Sequence, residues 1–169
     1  MSSFTFAARA IAITACSGAA LLGSTAYGVA DPGDTLMGML PDGFTSANCQ
    51  ENTKSASSLE RVTCDKSSDP SGPSRAVFLR YGSVDDLAAQ FKSAGDNGYT
   101  VASSCPGGKA SPGTWSPGSS NQTGGQVECA TNVDGQPAVI WTDNAKLRLA
   151  VVEGSDISSL YQWWAHKSG

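Results

Sequence analysis

The stretch that decides the fold is QVECATNVDGQPAVIWTDNAKLRLAVV, residues 126–152. It breaks into three short runs, Gln126 to Thr131, Pro137 to Thr142 and Lys146 to Val152, separated by Val133-Asp134-Gly135-Gln136 and Asp143-Asn144-Ala145. Runs rich in Val, Ile and Trp and bounded by Asp, Asn and Gly are strands joined by hairpins, and Asp134-Gly135 is a favoured type I′ pair. A β-meander is therefore expected. In its first strand Val127 and Cys129 share one side, and Glu128 is expected to face solvent. In its third, Leu147, Leu149 and Val151 form one face, with Lys146 and Arg148 on the other.

Working outward, Ser155 or Asp156 caps a final helix that carries Ile157, Leu160, Tyr161 and Trp164 at i, i+3, i+4 and i+7. Upstream, Arg75 to Tyr81 alternates as a strand and Gly82 ends it. Ser83 with Asp86 resembles a capping box, opening a helix whose stripe is Val84, Leu87, Ala88 and Phe91 and which Gly95 closes. Leu59 to Cys64 reads as a further strand, and Tyr99 to Ala102 as a short one. Asp34 is placed to cap a short helix that Pro41 stops. Residues 106–125 are a Gly/Pro/Ser loop interrupted by Thr114-Trp115. The expected class is α+β: an antiparallel sheet of about five or six strands ending in a meander, with the helices packed on one face to cover their stripes.

The N-terminus carries an address. Residues 1–30 hold no acid and one base, Arg9, followed by an apolar stretch and then small residues at Gly28 and Ala30. That is the pattern of a cleaved signal peptide, with residues 31–169 as one secreted domain. The apolar part is short and broken for a spanning helix, which wants about 20 residues, so no stable membrane insertion is expected after cleavage. Ile13-Thr14-Ala15-Cys16 resembles a lipobox, but the apolar character continues past the cysteine. Of 169 residues, cleavage leaves 139, with ten bases against fifteen acids and four cysteines.

An even cysteine count in an exported chain favours disulfides. Four cysteines allow three connectivities. Cys49–Cys64 and Cys105–Cys129 are favoured because each pair is near in sequence. Zinc is disfavoured, since no Cys-x-x-Cys pair occurs. A net charge of -4 and only 15% charged residues argue against a nucleic-acid binder, which should show a basic patch.

Chemistry-bearing patterns are sparse. His166, the sole imidazole, sits near the C-terminus, and no Gly-x-Ser-x-Gly elbow accompanies it. Gly107-Gly108-Lys109 lacks the phosphate-loop spacing. Asp96-Asn97-Gly98 lacks a calcium-loop ligand series. No catalytic residue, metal or cofactor is therefore assigned. The aromatic residues are the candidate ligand contacts: Trp115 in its irregular loop, Trp163 beside Trp164, and Tyr99. Exposed Trp and Tyr favour such contacts, while burial over the core is the alternative for both tryptophans.

Several segments together carry a resemblance. Leu40-Pro41-Asp42-Gly43-Phe44 precedes Cys49, and Leu59, Val62 and Cys64 follow. Cys105-Pro106-Gly107 leads to Gly113-Thr114-Trp115. Gly125-Gln126-Val127-Glu128-Cys129, Ala138 to Asp143, and Leu160-Tyr161 with Trp163-Trp164 complete it. Over about residues 36–165 the chain resembles the extracytoplasmic, sensor-like domain that follows the membrane helix in some actinobacterial serine/threonine protein kinases, here standing alone. The resemblance implies an α+β fold with two disulfides and a sensor or binding role. It carries no catalytic residues, and the kinase loops themselves are absent from this sequence.

The expected function is a secreted, non-catalytic binding domain for a small molecule, a cell-wall fragment or an envelope protein. One alternative is a structural or interaction module, which requires a flat apolar patch on the sheet. The other is a hydrolase, which requires a buried Asp or Glu of raised pKa beneath the 106–125 loop.

Overall fold

The computed structural model describes residues 35–53, 57–118 and 120–168; the signal-peptide and Cys16 assignments lie outside them. In chain order the elements are β1 (Cys49–Glu51), β2 (Glu60–Cys64), β3 (Arg75–Arg80), α1 (Val84–Lys92), β4 (Thr100–Val101), β5 (Ser104–Cys105), β6 (Lys109–Ala110), β7 (Gly113–Trp115), β8 (Gly125–Thr131), β9 (Pro137–Asp143), β10 (Arg148–Glu153) and α2 (Ile157–Ser168). The class is α+β. Eight strands form one antiparallel sheet in the order β1-β2-β3-β10-β9-β8-β4, with β7 also paired to β8, and β5 and β6 form a separate ribbon.

The meander is β8-β9-β10, as its sequence implies. The excess over five or six strands comes from β1 and β7, three residues each, which are too short to show a period, while the short strand expected near Tyr99 is β4. The 132–136 connection differs from a type I′ turn. Of its residues only Gly135 has positive φ, Gly135 N–H donates to Asn132 O, and the Asn132 side chain accepts from the backbone of Asp134 and Gln136. That is a longer loop ending on a left-handed glycine.

The helices lie on opposite faces of the sheet, which corrects the one-face expectation. Cross-strand register proves the division. Val127, Trp141, Ala150, Phe78 and Val62 form one row across the sheet and pack with Leu160, Trp163 and Trp164 of α2. The adjacent row, Glu128, Ile140, Val151 and Val77, points the other way. There Ile140 and Val151 pack with Leu87 and Phe91 of α1. The central strands carry apolar residues at both parities, and every residue of β10 is buried. A sheet covered on both sides reads as near-continuous hydrophobic runs.

The α2 face is an aromatic core. Phe44 meets Phe78 edge-on at 5.4 Å and Trp163 at 6.0 Å, and Phe78 meets Trp141 at 6.4 Å. Both disulfides belong to this core, Cys49–Cys64 across β1 and β2 and Cys105–Cys129 from β5 to β8. A charged row, Asp143, Arg148, Arg80 and Glu60, closes one end of it. Arg80 pairs with Glu60 at 3.0 Å and Arg148 with Asp143 at 3.4 Å. These groups also hold the 3-10 turn Leu36–Met39 to the sheet, since Leu36 N–H donates to the Glu60 carboxylate and the Arg148 guanidinium to Met39 O. Arg148, read from the alternation as part of a polar face, is therefore 1% exposed. Lys146 lies in the turn before β10 rather than in the strand.

Local signals set both helix starts. Ser83 Oγ accepts from Asp86 N–H at 3.1 Å and donates to its carboxylate at 2.7 Å. Asp156 caps α2 by accepting from Ser159 N–H at 2.8 Å. The end of α1 departs from expectation. Ser93 is its C-cap, Gly95 opens a 3-10 turn, and Gly98, with φ 87°, supplies the left-handed residue.

Candidate functional site

The three aromatic candidates do not converge. Trp163 is buried in the α2-face core. Trp115 is half-buried over the same core; its indole N–H donates to Thr142 O at 2.9 Å and its ring meets Trp164 edge-on at 6.2 Å. The Gly124-Gly125 pair permits this seat. A Cβ on Gly124 would lie 2.8 Å from the Trp115 ring, and one on Gly125 would lie 2.0 Å from Thr142 O. The 106–125 segment, expected as an irregular loop, instead contains β6 and β7, and Trp115 at the end of β7 lies over the core as a lid. Tyr99 alone is on the opposite face, where it lines a cavity.

That cavity, of about 300 Å³, lies between α1 and the sheet. Strand alternation builds its floor from Val77 and Leu79 of β3, Ile140 of β9, and Leu149 and Val151 of β10. The space exists because α1 is only nine residues long and packs on β9 and β10. The sheet extends past it to β3 and β2, with no second α-helix on this side among the described residues.

The rim is polar: Ser57, Arg61, Tyr81, Gln90, Asn97 and Tyr99. Arg61 comes from β2, where Val62 and Cys64 enter the α2-face core and Arg61, at the other parity, lines the cavity. Tyr81 is 1% exposed. Burial raises its phenol pKa, opposed by a hydrogen bond with Ser57 and by the Arg61 charge. Tyr99 donates its hydroxyl to Glu153 at 2.9 Å. Burial, then the Glu153 hydrogen bond and charge, pushes Tyr99 up to about 12. It is a fixed donor that stays protonated. Ser57 and Gln90 are joined at 3.3 Å across the mouth.

Glu128 is the second correction. Its strand position faces away from the α2 core, but not into solvent: it is 3% exposed. Its Oε1 has no hydrogen-bond partner among the described residues, and burial raises its pKa to about 7. It sits on β8 between the stretches paired to β7 and to β4. It is a buried carboxyl of raised pKa, but it faces away from the core over which Trp115 of the 106–125 segment lies, where the hydrolase alternative requires one. It lines neither the α1 cavity nor the second opening, a groove of about 500 Å³ between β4 and the start of α2. That groove offers hydroxyls but no charged side chain. His166 is exposed on the last turn of α2. Among the described residues no group of three His, Cys, Asp or Glu could hold a metal ion, and no helix is long and apolar enough to cross a membrane.

Arg61, Tyr81, Gln90 and Asn97 were not singled out from sequence. The available signal was the apolar second face of β3 and β10, too wide for a nine-residue helix to cover. No family model matches the chain, and no match was found among curated proteins or among solved structures.

Proposed function

We propose that this protein is an exported, sensor-like binding domain that holds a small ligand beneath α1. The observation that carries the reading is the cavity itself: an apolar floor with convergent polar groups on one side, the usual composition of a ligand site. At about 300 Å³ it is at the small end of such sites, which favours a compact molecule over a polymer segment. Among the described residues its lining contains no carboxylate, imidazole or thiol, and that supports binding rather than catalysis. The two disulfides fit an oxidising compartment and so support export, as the N-terminal segment of the sequence does. Tyr99 remains a ligand contact in this reading, and Trp115 and Trp163 become part of the scaffold.

The test is a filled cavity. Val77→Phe places a ring into the floor and is expected to change stability by no more than about 1 kcal/mol, because it occupies space that is already empty. Small-molecule and cell-wall-fragment panels read by thermal shift should give saturable stabilisation of the wild type and none of the variant. Stabilisation that survives the filled cavity would refute this location for the site.

A further inference from the structure

We infer that the cavity beneath α1 selects a small monovalent organic anion, a carboxylate on a compact apolar body, with its charged end on Arg61. The inference rests on the cavity being the ligand site and names the chemistry that the site would recognise.

Three observations on one set of residues point to it. Among the described residues Arg61 is the only charged side chain lining the cavity. In a chain of net charge -4, this cavity therefore presents a positive group. Arg61 also has no acidic partner among the described residues. Its chain neighbour Glu60 points to the opposite face and is taken by Arg80 at 3.0 Å, and no salt bridge reaches Arg61 within 4.0 Å. Its Nε is enclosed without a hydrogen-bond partner. Elsewhere on the sheet, by contrast, the buried Arg148 is paired with Asp143.

Arg61 is half-buried and has no ion-pair partner among the described residues, so an incoming anion meets a charge that no carboxylate has already neutralised. A planar fork of N–H donors is matched by a carboxylate, which accepts two parallel bonds. The Tyr81 hydroxyl and Ser57 stand beside Arg61 and add neutral donors. A single cation suits a single negative charge. The apolar floor fixes the other end of the ligand, which must be hydrocarbon and small. A cation would meet Arg61 with like charge, and a neutral amide would offer a single acceptor oxygen and no opposite charge.

The experiment compares matched probes on the disulfide-bonded protein: hexanoate, hexanamide and hexylamine, titrated with methyl and amide resonances as the readout. Hexanoate is expected to shift Leu79, Ile140 and Val151 saturably and to bind at least about tenfold more tightly than hexanamide. Arg61→Gln should abolish that preference, bringing hexanoate down to the level of hexanamide. Arg61→Lys should keep part of the preference, and its presence guards against a folding defect peculiar to the glutamine variant. Equal binding of hexanoate and hexanamide at the cavity, or a preference that survives Arg61→Gln, would overturn the anion assignment and leave the cavity as a ligand site. If none of the three probes reached the cavity methyls, the site and the assignment would both fall.

Discussion

The two faces of the sheet are made by alternate residues of the same strands, yet they are finished in opposite ways. On the α2 side, Phe78, Trp141 and Trp163 interlock, two disulfides bind the edges, and the buried Arg148 has a carboxylate partner. On the α1 side, a shorter helix covers part of the surface, a cavity remains, Arg61 lacks a partner and Glu128 is buried with one oxygen unsatisfied. The α2 face also holds unsatisfied polar atoms, the Trp141 and Trp164 indole nitrogens and the Arg148 Nε among them, so the faces differ in how completely they are filled, and the proposed reading puts the ligand on the face that keeps a cavity.

The largest break in that comparison should come from the α2 face. Trp163→Ala removes an indole that is 3% exposed and should destabilise by about 3–5 kcal/mol in denaturant unfolding, with hexanoate affinity of the folded protein unchanged. A large loss of affinity without loss of stability would mean that Trp163 is a ligand platform after all.

Next in size is the buried carboxyl of the α1 face. Glu128 is raised from 4.5 to about 7, so between those pH values the folded state holds a proton that the unfolded state releases. Its contribution is greatest below pH 4.5, falls as pH rises, and levels off above about 7, a span of about 3 kcal/mol. Asp69 and Asp156 act in the other sense. Hydrogen bonds from Ser71 and from Ser159, respectively, lower their pKa values, so their contribution is present above pH 3.8 and lost as pH falls below it. The two windows are separate. Glu128→Met should flatten the stability profile between pH 5 and 8, whereas a wild type that is already flat there would contradict the assignment.

The smallest effect expected is at Tyr99. Tyr99→Phe removes the hydroxyl bonded to Glu153 but leaves the Asn132 side chain donating to the same oxygen at 3.2 Å. A loss of about 1 kcal/mol is expected, with a weaker effect on ligand affinity than Arg61→Gln has. If Tyr99→Phe proved the more damaging of the two for binding, the charged end of the site would have to move from Arg61 to the Tyr99 side.

How far this was legible in the sequence follows from which signals are local. Ser83-Asp86, Asp156 and the three runs of the meander announce themselves within a few residues, and the structure uses them as they read. The disulfide pairing followed from proximity along the chain. What misled was alternation. Lys146 and Arg148 opposite Leu147 and Leu149 suggested a wet face, and Glu128 opposite Val127 and Cys129 suggested the same. Ala150 and Val152 share Arg148's face, and Ala130 shares Glu128's, and all three are buried. Those apolar residues on the supposed solvent side were the sign of a sheet covered twice. The candidate site was the least legible part. Arg61 matters because Glu60 beside it is committed to Arg80 and because α1 stops short of β3, and both are facts of tertiary arrangement. Trp115 drew attention as an aromatic in a flexible composition, yet its glycines are there to let it lie down on the core.

Val139 with Ile140, and Val152 with Val151, are adjacent residues on opposite faces, and that makes them the sharpest reporters of the central claim. Methyl resonances of all four should be followed while a panel of small organic acids, amides and amines is titrated into the disulfide-bonded protein. The account predicts saturable shifts at Ile140 and Val151, led by an acid, with Val139 and Val152 still. Saturable shifts at Val139 and Val152, with Ile140 and Val151 unmoved, would place the ligand on the aromatic face and contradict it.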